Sequence, residues 1–347
     1  NSKEMAEKPP LPLLLRIGCF FIRSILRLVL RRDGTVMRGV INLFRKLTDV
    51  PPSSEPRHGA KTADITVDAS RNLWFRLFVP TEIDPATEAA DREDPHRRSL
   101  PVVVFFHGGG FVLSSAGSGQ YDSICRRFAR EIPAVVVSVD YRLAPEHRYP
   151  AQYEDGFDAL EFLDGDGYAL PANADLSRCF LAGDSAGGNI AHHVARRFSE
   201  SPNFSRLKAI IALQPFFGGK ERSEREAEME KTEVLLSRRI KDSFWKSFLP
   251  SDAEYDLDHE AINVSGPRAV DISKLVNFPA TMVVIGGRDS LNVWQSKYCR
   301  WLKESGKEIH LIDYPNMIHA FYLLPRFVES TQVVHEIRNF VHNQRSR

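Results

Sequence analysis

Cysteine is scarce in this 347-residue sequence, and its four cysteines form no cluster. Cys19, Cys125, Cys179 and Cys299 lie far apart, without a CxxC pair or a Cys/His group of metal-ligand spacing. A disulfide-stapled fold is therefore excluded, and structural zinc is disfavoured. We expect free, buried thiols, which suit a reducing compartment, and hence a cytoplasmic protein with the nucleus as a second expected location.

An excess of charge of one sign is also absent, because 46 Lys and Arg residues are balanced by 45 Asp and Glu residues. A dedicated nucleic-acid-binding protein usually has a strong basic surplus, so we expect no nucleic-acid partner. Hydrophobic residues make up 43% of the chain, which excludes a highly charged disordered protein and is enough for a sizeable core. The length by itself allows two or three domains.

The sequence lacks a long uncharged apolar run. Its most apolar stretch, residues 11–30, is interrupted by Arg16, Arg23 and Arg27, so it contains no uncharged window of the ~18 residues that indicate a transmembrane helix. No small-residue cleavage site of a secretory signal follows it. We therefore expect no stable membrane insertion.

The same stretch has the pattern of an amphipathic helix. Its three arginines are 7 and 4 residues apart, which places them on one face. The opposite face has apolar residues, namely Leu15, Ile22, Leu26 and Val29. We expect this apolar face to pack on the body of the protein. A helix on a membrane surface and an uncleaved anchor are the alternatives.

The chain is rich in short, nearly all-apolar runs of Val, Ile and Phe, at residues 101–109, 134–141, 179–185, 209–215 and 281–287. Such runs are typical of strands buried on both faces. Helix-like stretches separate them, and this alternation predicts an α/β fold with a mostly parallel sheet and helices on both faces. Two alternating runs, at residues 63–68 and 73–80, predict half-exposed strands before them.

Residues 219–275 interrupt this alternation, because they contain no convincing buried strand. Within them, residues 220–231 are mostly charged and predict a solvated face, whereas residues 237–250 predict a helix. We interpret residues 219–275 as a helical insertion that forms, with residues 1–59, a cap over the carboxyl edge of the sheet, where open α/β sheets bind ligands. Residues 60–347 would then be one domain containing the insertion.

The pentapeptide at residues 183–187, GDSAG, fits the pattern G-x-S-x-G. It follows an apolar run and begins a helical stretch, which is the strand–turn–helix context of a nucleophile elbow. The two glycines permit a sharp turn that exposes the hydroxyl group of Ser185. Ser185 is therefore the candidate nucleophile.

The tetrapeptide HGGG at residues 107–110 ends another predicted buried strand. Consecutive glycines leave backbone N–H groups accessible to a substrate oxygen. We expect the N–H groups of Gly109, Gly110 and Ala186 to form an oxyanion hole, which stabilises the negative charge that develops during acyl transfer.

A serine hydroxyl group needs a base, and that base is usually a histidine oriented by a carboxylate. In this architecture the chain order is serine, then acid, then histidine. Asp289 follows the apolar run at 281–287, and His319 follows the strand-like residues 308–314. We therefore predict His319 as the base and Asp289 as its partner, with Asp313 as the main rival acid. The other histidines near the motifs, namely His107, His192, His193 and His310, are expected to have structural roles.

These motifs resemble the hormone-sensitive-lipase-like branch of the α/β-hydrolases, and most closely its plant carboxylesterases. The resemblance rests on HGGG at 107–110, YRLAPEHRYPA at 141–151, GDSAGGNIAHHVA at 183–195, GGRDSL at 286–291 and IHAF at 318–321. It covers roughly residues 60–340 and implies the α/β-hydrolase fold. The stretch RRDGT at 31–35 also looks like the N-terminal lid region of this plant group.

The gibberellin receptors belong to the same group, and the resemblance implies that they keep the fold and the serine but lack the catalytic histidine. This chain has His319 at the matching place, and its YRLAPEH follows the esterase version of that motif. One departure is Asn292, which stands where the esterase pattern commonly has a second acid. Because Asp289 is retained, we expect activity to survive.

The sequence thus predicts a serine carboxylesterase for small carboxylic esters that needs no metal or cofactor. The main alternative is a gibberellin-receptor-like protein, which would close over a hormone-like acid and recruit a protein partner through its N-terminal helix. A third reading is an esterase acting on another plant hormone, such as a strigolactone.

Overall fold

A computed structural model describes residues 11–82, 99–165, 169–200, 206–250 and 255–344 of the chain. Residues 1–10 and 251–254, which belong to the expected cap, lie outside the described residues, as do residues 345–347.

The centre of the protein is an eight-stranded sheet with the order β1-β2-β4-β3-β5-β6-β7-β8. The antiparallel pairs β1–β2 and β2–β4 lie at one end, and all remaining pairs are parallel. This confirms the predicted mostly parallel sheet. The strands are β1 (Ala60–Asp68), β2 (Leu73–Pro80), β3 (Leu100–Phe106), β4 (Val135–Asp140), β5 (Ala174–Asp184), β6 (Leu207–Leu213), β7 (Ala280–Gly286) and β8 (Ile309–Tyr314).

Nine helices surround the sheet within the described ranges. They are α1 (Leu13–Val29), α2 (Arg38–Thr48), α3 (Gly119–Glu131), α4 (Ala151–Gly165), α5 (Ala186–Ser199), α6 (Glu224–Thr232), α7 (Arg238–Phe248), α8 (Asn292–Glu304) and α9 (Val328–Gln344). The last of them was not predicted, although its buried apolar residues 333, 334, 337, 340 and 341 have helical spacing.

Strand β3 shows why the apolar runs form a central sheet. Val102 and Val104 face one hydrophobic cluster of the core, whereas Val103 and Phe105 face the other. All residues of this strand are buried, because helices cover both sides of the sheet. The carboxyl ends of the parallel strands consequently meet at one protected edge.

The N-terminal helix α1 packs on the body only along part of its predicted apolar face. Leu26 and Val29 contact the core, and Leu15 is partly buried against it. The prediction was wrong for Ile22, which is 52% exposed. Arg23, predicted on the polar face, instead turns toward the protein and donates a hydrogen bond of 2.9 Å to the carbonyl oxygen of Glu233. A buried carbonyl group needs such a donor, which explains the difference.

The segment that follows α1 contacts the insertion directly. Gly34 has a φ of 86°, and a Cβ atom there would lie 2.8 Å from the carbonyl oxygen of Lys246 in α7. The hydroxyl group of Ser247 donates a hydrogen bond of 2.8 Å to the carbonyl oxygen of Gly34. The turn at residues 31–35 therefore needs glycine at this position to approach α7 closely.

Residues 219–275 contain α6 and α7, and residues 219–250 and 255–275 contain no strand. The prediction of a solvated face at residues 220–231 holds only in part. Glu226 of α6 is buried and pairs with Arg222 at 2.7 Å, so this part of α6 packs on the protein. Within the described ranges, no helix combines the length and the apolar character needed to cross a bilayer.

Candidate active site

Ser185 lies in a tight turn between β5 and α5, with φ at 52° and ψ at −116°. The turn depends on the two flanking glycines. A Cβ atom at Gly183 would lie 2.3 Å from the backbone of Gly187, and one at Gly187 would lie 1.9 Å from the carbonyl oxygen of Phe106. An unusual backbone conformation of this kind persists only where its surroundings enforce it, and here the close packing at Gly183 and Gly187 does so.

The glycine loop at residues 107–110 follows β3, which pairs with β5 so that Phe106 lies opposite Gly183. The loop and the elbow therefore leave the sheet side by side. Gly109 and Gly110 have φ values of 106° and 62°, which favour glycine. No hydrogen bond within the described part of the chain uses the N–H group of Gly109, Gly110 or Ala186.

His319 lies in the loop that follows β8, and Asp289 lies in the loop that follows β7. Nδ1 of His319 is 2.8 Å from Oδ2 of Asp289, and both side chains are buried. The carboxylate is fixed in turn, because Oδ1 accepts a hydrogen bond of 2.9 Å from the N–H group of Leu291. A carboxylate in this position holds the imidazole ring in one orientation.

His319 and Ser185 line the same cavity, which has a volume of about 180 Å³. Gly109 and Gly110 line it as well, so four of the six predicted site residues border one space. The remaining walls are mainly apolar and come from α1 and the insertion as well as the core: Ile22, Leu26, Leu113, Phe216, Leu235, Leu236, Phe244 and Leu323.

Comparison with protein families matches residues 103–323 to a family with the alpha/beta hydrolase fold. The chain belongs to the α/β-hydrolase family. Curated relatives include a gibberellin receptor of Arabidopsis thaliana, which is 38% identical over 317 residues, 90% of this chain and 89% of the receptor. Carboxylesterase 20 of the same plant is 33% identical over 290 residues, 82% of this chain and 85% of the esterase.

Solved structures show the same architecture. An esterase of Pyrobaculum calidifontis superimposes with a TM-score of 0.72 at 27% sequence identity, covering 96% of this chain and 98% of the esterase. The expected relationship to plant carboxylesterases and gibberellin receptors, and the α/β-hydrolase fold, are therefore confirmed. The chain is a carboxylesterase-like α/β-hydrolase.

The protonation of His319 in this hydrolase is set by opposing effects. Burial lowers the pKa of His319, but the charge and the hydrogen bond of Asp289, together with the charges of Glu233 and Asp184, raise it above its usual value of 6.5. The imidazolium form of His319 is thus stabilised by the neighbouring carboxylates.

The other histidines have structural surroundings, as expected. Burial lowers the pKa of His107 to about 3, and its ring stacks on Tyr141 at 4.3 Å between centroids. His192 lies 3.0 Å from the hydroxyl group of Tyr298, and His193 stacks on Tyr153. His310 stacks on Phe340 from within β8. None of them lines the cavity that contains Ser185.

The rival acid Asp313 lies within β8, opposite Ile285 of β7, whereas Asp289 lies beyond the end of β7. Asn292, which departs from the esterase pattern, is hydrogen-bonded through both atoms of its side-chain amide. Its amide group donates a hydrogen bond of 3.1 Å to the carbonyl oxygen of Gly286 and accepts one of 2.9 Å from Arg225 in α6. Asn292 thereby links the insertion to the start of the loop that contains Asp289.

Two glutamines that no sequence motif indicated contact the candidate acid Asp289 and the backbone around the candidate base His319. Gln295, one turn into α8, donates a hydrogen bond of 3.0 Å to Oδ2 of Asp289. Gln214 donates to the carbonyl oxygen of Ile318 at 3.1 Å and accepts from the N–H group of Ala320 at 2.7 Å. Gln214 therefore fixes the backbone on both sides of His319. No motif points to these residues, since only their position after β6 and within α8 brings them here.

Asp184, a buried carboxylate beside the candidate nucleophile Ser185, was also not predicted. Asp184 accepts hydrogen bonds from the hydroxyl groups of Tyr121 at 3.1 Å and Tyr322 at 3.2 Å. Burial raises the pKa of Asp184 to about 6. Tyr121 in turn accepts a hydrogen bond of 2.9 Å from the N–H group of Gly108. This arrangement connects the elbow to the glycine loop.

Glu233 connects the insertion to the loop that contains Asp289. One carboxylate oxygen accepts hydrogen bonds from the N–H groups of Leu235 at 2.6 Å and Leu236 at 2.9 Å, and the other accepts one of 2.9 Å from Ser290. Because Arg23 also binds the Glu233 carbonyl group, this residue contacts α1, the cavity wall and the neighbour of Asp289 at once. These contacts of Glu233 could not be predicted from the sequence, because the surrounding residues show no clear helix or strand pattern.

No group of His, Cys, Asp and Glu residues with a metal-binding arrangement occurs among the residues that the structure describes.

Proposed function

We propose that this α/β-hydrolase is a serine carboxylesterase that hydrolyses small, neutral carboxylic esters. The observation that carries the proposal is the hydrogen bond between His319 and Asp289. The same His319 borders the cavity that Ser185 lines. With Nδ1 of His319 donating to the carboxylate, Nε2 is left as an acceptor for the proton of the serine hydroxyl group.

In the first half of the reaction, Oγ of Ser185 attacks the ester carbonyl carbon while His319 accepts the hydroxyl proton. The oxygen that becomes negative is bound by the N–H groups of Gly109, Gly110 and Ala186. Each such donor contributes on the order of 3 kcal/mol to lowering the barrier in comparable hydrolases. Asp289 stabilises the imidazolium ion that forms.

The tetrahedral intermediate then collapses, and His319 returns the proton to the departing alcohol oxygen. Water then attacks the acyl carbon while His319 takes its proton. When the second tetrahedral intermediate collapses, His319 returns that proton to Oγ of Ser185, and the acyl group leaves as a carboxylic acid. Every step uses side chains and backbone groups of this chain alone, so the proposed reaction requires neither a metal nor a cofactor.

The cavity supports the choice of substrate class. Its volume of about 180 Å³ and its mainly apolar walls favour a short acyl chain in an uncharged ester.

We further propose that residues 1–59 and 219–275 act as a cap on the hydrolase domain at 60–347, since Leu26 of the first piece and Phe244 of the second both line the cavity. The four cysteines are free and buried, which supports the cytoplasm or the nucleus as its location.

A second candidate function is a small-molecule receptor with a protein partner, which the similarity to gibberellin receptors favours. His319 is the residue that separates the two functions, since a receptor needs no base. An esterase of a plant hormone such as a strigolactone would use the same chemistry as the main proposal and differ only in its substrate.

The test is turnover of p-nitrophenyl acetate and butyrate by the wild type, with Ser185→Ala and His319→Val as controls. The proposal expects wild-type hydrolysis at least about 10³-fold above both variants. Wild-type activity no higher than that of Ser185→Ala would overturn it. Calorimetric binding of gibberellin without turnover would favour the receptor, and a panel including a strigolactone would resolve the substrate.

A further inference from the structure

The side of α1 that faces away from the protein is almost entirely apolar. Its large residues are between 39% and 74% exposed, and we call them the outer face of α1: Leu13, Leu14, Ile17, Phe20, Phe21, Ile25 and Leu28. Their spacing of three and four residues places them on one continuous stripe, opposite the side that contacts the core. Exposed apolar stripes of this length in soluble proteins usually mark an interaction surface.

The charges around the outer face are strongly biased. Residues 11–32, which include α1, contain five arginines, at positions 16, 23, 27, 31 and 32, and no acid. Arg38 and Arg45, farther along, form ion pairs with Glu146 and Asp49. Arg16 and Arg27 are exposed and flank the outer face on the same helix, and Arg31 and Arg32 are exposed just beyond its end. The chain as a whole has a net charge of only +1, so this positive charge is a local property of the N-terminal segment.

We propose that the outer face of α1 docks reversibly on an anionic lipid surface, with the helix lying along the membrane interface. An interfacial helix inserts its apolar side among the lipid chains while flanking arginines bind the negative headgroups. This mode needs no membrane-spanning helix. It also differs from the packing of α1 on its own protein, which uses the opposite side of the helix.

The composition of the face favours lipid over a protein partner. Protein interfaces are enriched in aromatic residues, Met and Arg, but they also typically contain a hydrogen bond for every 100–200 Å² or so, which requires polar groups on the face. The outer face has only Leu, Ile and Phe as large residues, and the hydroxyl group of Ser24 beside it is already bonded to the carbonyl oxygen of Phe20 at 2.7 Å. A second copy of the chain is also disfavoured as the partner. In a twofold dimer through this face, the flanking arginines of one copy would lie near those of the other, and their like charges would repel.

The position of the cavity gives such docking a consequence that rests on the proposed function. Ile22 and Leu26 of α1 line the cavity that contains Ser185, so the same helix borders the reactive serine and faces the lipid. Ester substrates dissolved in the membrane would then reach the cavity directly from the lipid surface to which α1 is docked. The class of ligand is an anionic lipid surface for the docking and a lipophilic ester for the reaction.

The experiment measures sedimentation of the protein (residues 1–347) with phosphatidylcholine vesicles, with and without phosphatidylserine. The comparison uses Ile17→Ser/Phe21→Ser on the outer face and Val276→Ser/Val328→Ser as a matched control, since Val276 and Val328 are exposed apolar residues elsewhere on the surface. A third variant, Arg16→Glu/Arg27→Glu, tests the charge requirement. Circular dichroism and thermal melting verify that each variant is folded.

We expect wild-type binding to the phosphatidylserine vesicles, with a loss of about tenfold or more in both α1 variants and none in the control. Absence of wild-type binding, or equal binding by Ile17→Ser/Phe21→Ser, would overturn the proposal. So would a wild-type dimer that becomes monomeric in that variant without any vesicle binding. Sedimentation requires no catalysis, so a failure of the esterase proposal would not change the vesicle-binding result. A failure to bind vesicles would likewise not change the turnover of soluble p-nitrophenyl esters.

Discussion

Oδ2 of Asp289 lies 2.8 Å from Nδ1 of His319, although thirty residues separate them in the chain. The parallel pairing of β7 with β8 produces this proximity, because both residues follow strands that end at the same edge of the sheet. The pair is buried, and Gln295 and Leu291 fix the carboxylate from the other side.

The first prediction concerns the pH dependence of hydrolysis. Only the neutral imidazole of His319 can accept a proton, so kcat/KM should fall as the pH decreases through its pKa. Burial lowers that pKa, but Asp289 and other carboxylates raise it above 6.5, so the decline should begin above pH 6.5. Asp289→Asn should move the decline to lower pH and reduce kcat by about 10⁴-fold. An unchanged profile in this variant would contradict the pairing.

The second prediction concerns Glu233 as a positioning residue. Its charge helps to raise the pKa of His319, so Glu233→Gln should shift the acidic decline of kcat/KM to lower pH. A matched control is Glu230→Gln, because Glu230 pairs instead with Lys241. Both variants remove one negative charge from the insertion. A shift of equal size in the two would show that Glu233 has no specific effect on His319.

The third prediction concerns the glycine behind the nucleophile. In Gly187→Ala the new methyl group would lie 1.9 Å from the carbonyl oxygen of Phe106, and backbone cannot move aside cheaply. We expect the free energy of unfolding to fall by more than about 3 kcal/mol. Gly39→Ala is the control, because a Cβ atom there meets nothing within 4 Å, and it should be neutral or slightly stabilising. Denaturant unfolding measures both.

The fourth prediction concerns Gln214, which brackets His319. Gln214→Ala removes two buried hydrogen bonds, to Ile318 and Ala320, and should cost about 2 kcal/mol of stability. Because the histidine loop loses its support, kcat should fall while KM changes little. Gln344→Ala removes a hydrogen bond far from the cavity, to Glu308, and should leave kcat unchanged. Equal kinetic effects in the two variants would exclude a positioning role for Gln214.

Much of the fold could be predicted from the sequence, because apolar runs such as residues 101–106 can lie only where both faces are covered. The motifs around Ser185, Asp289 and His319 were also visible, since each follows such a run. The supporting residues were not. Gln214 and Gln295 act through tertiary contacts that no local pattern encodes, and Ile22 is 52% exposed because it borders an open cavity and does not pack in the core.

The central claim is that Ser185 is a nucleophile activated by His319, and covalent labelling with a fluorophosphonate tests it most directly. Intact-mass and peptide analysis of the wild type should show one adduct, on Ser185. His319→Val should label at least about 100-fold more slowly, since the hydroxyl group loses its base, and Ser185→Ala should not label. An unlabelled wild type, or a His319→Val protein that labels at the wild-type rate, would contradict the account.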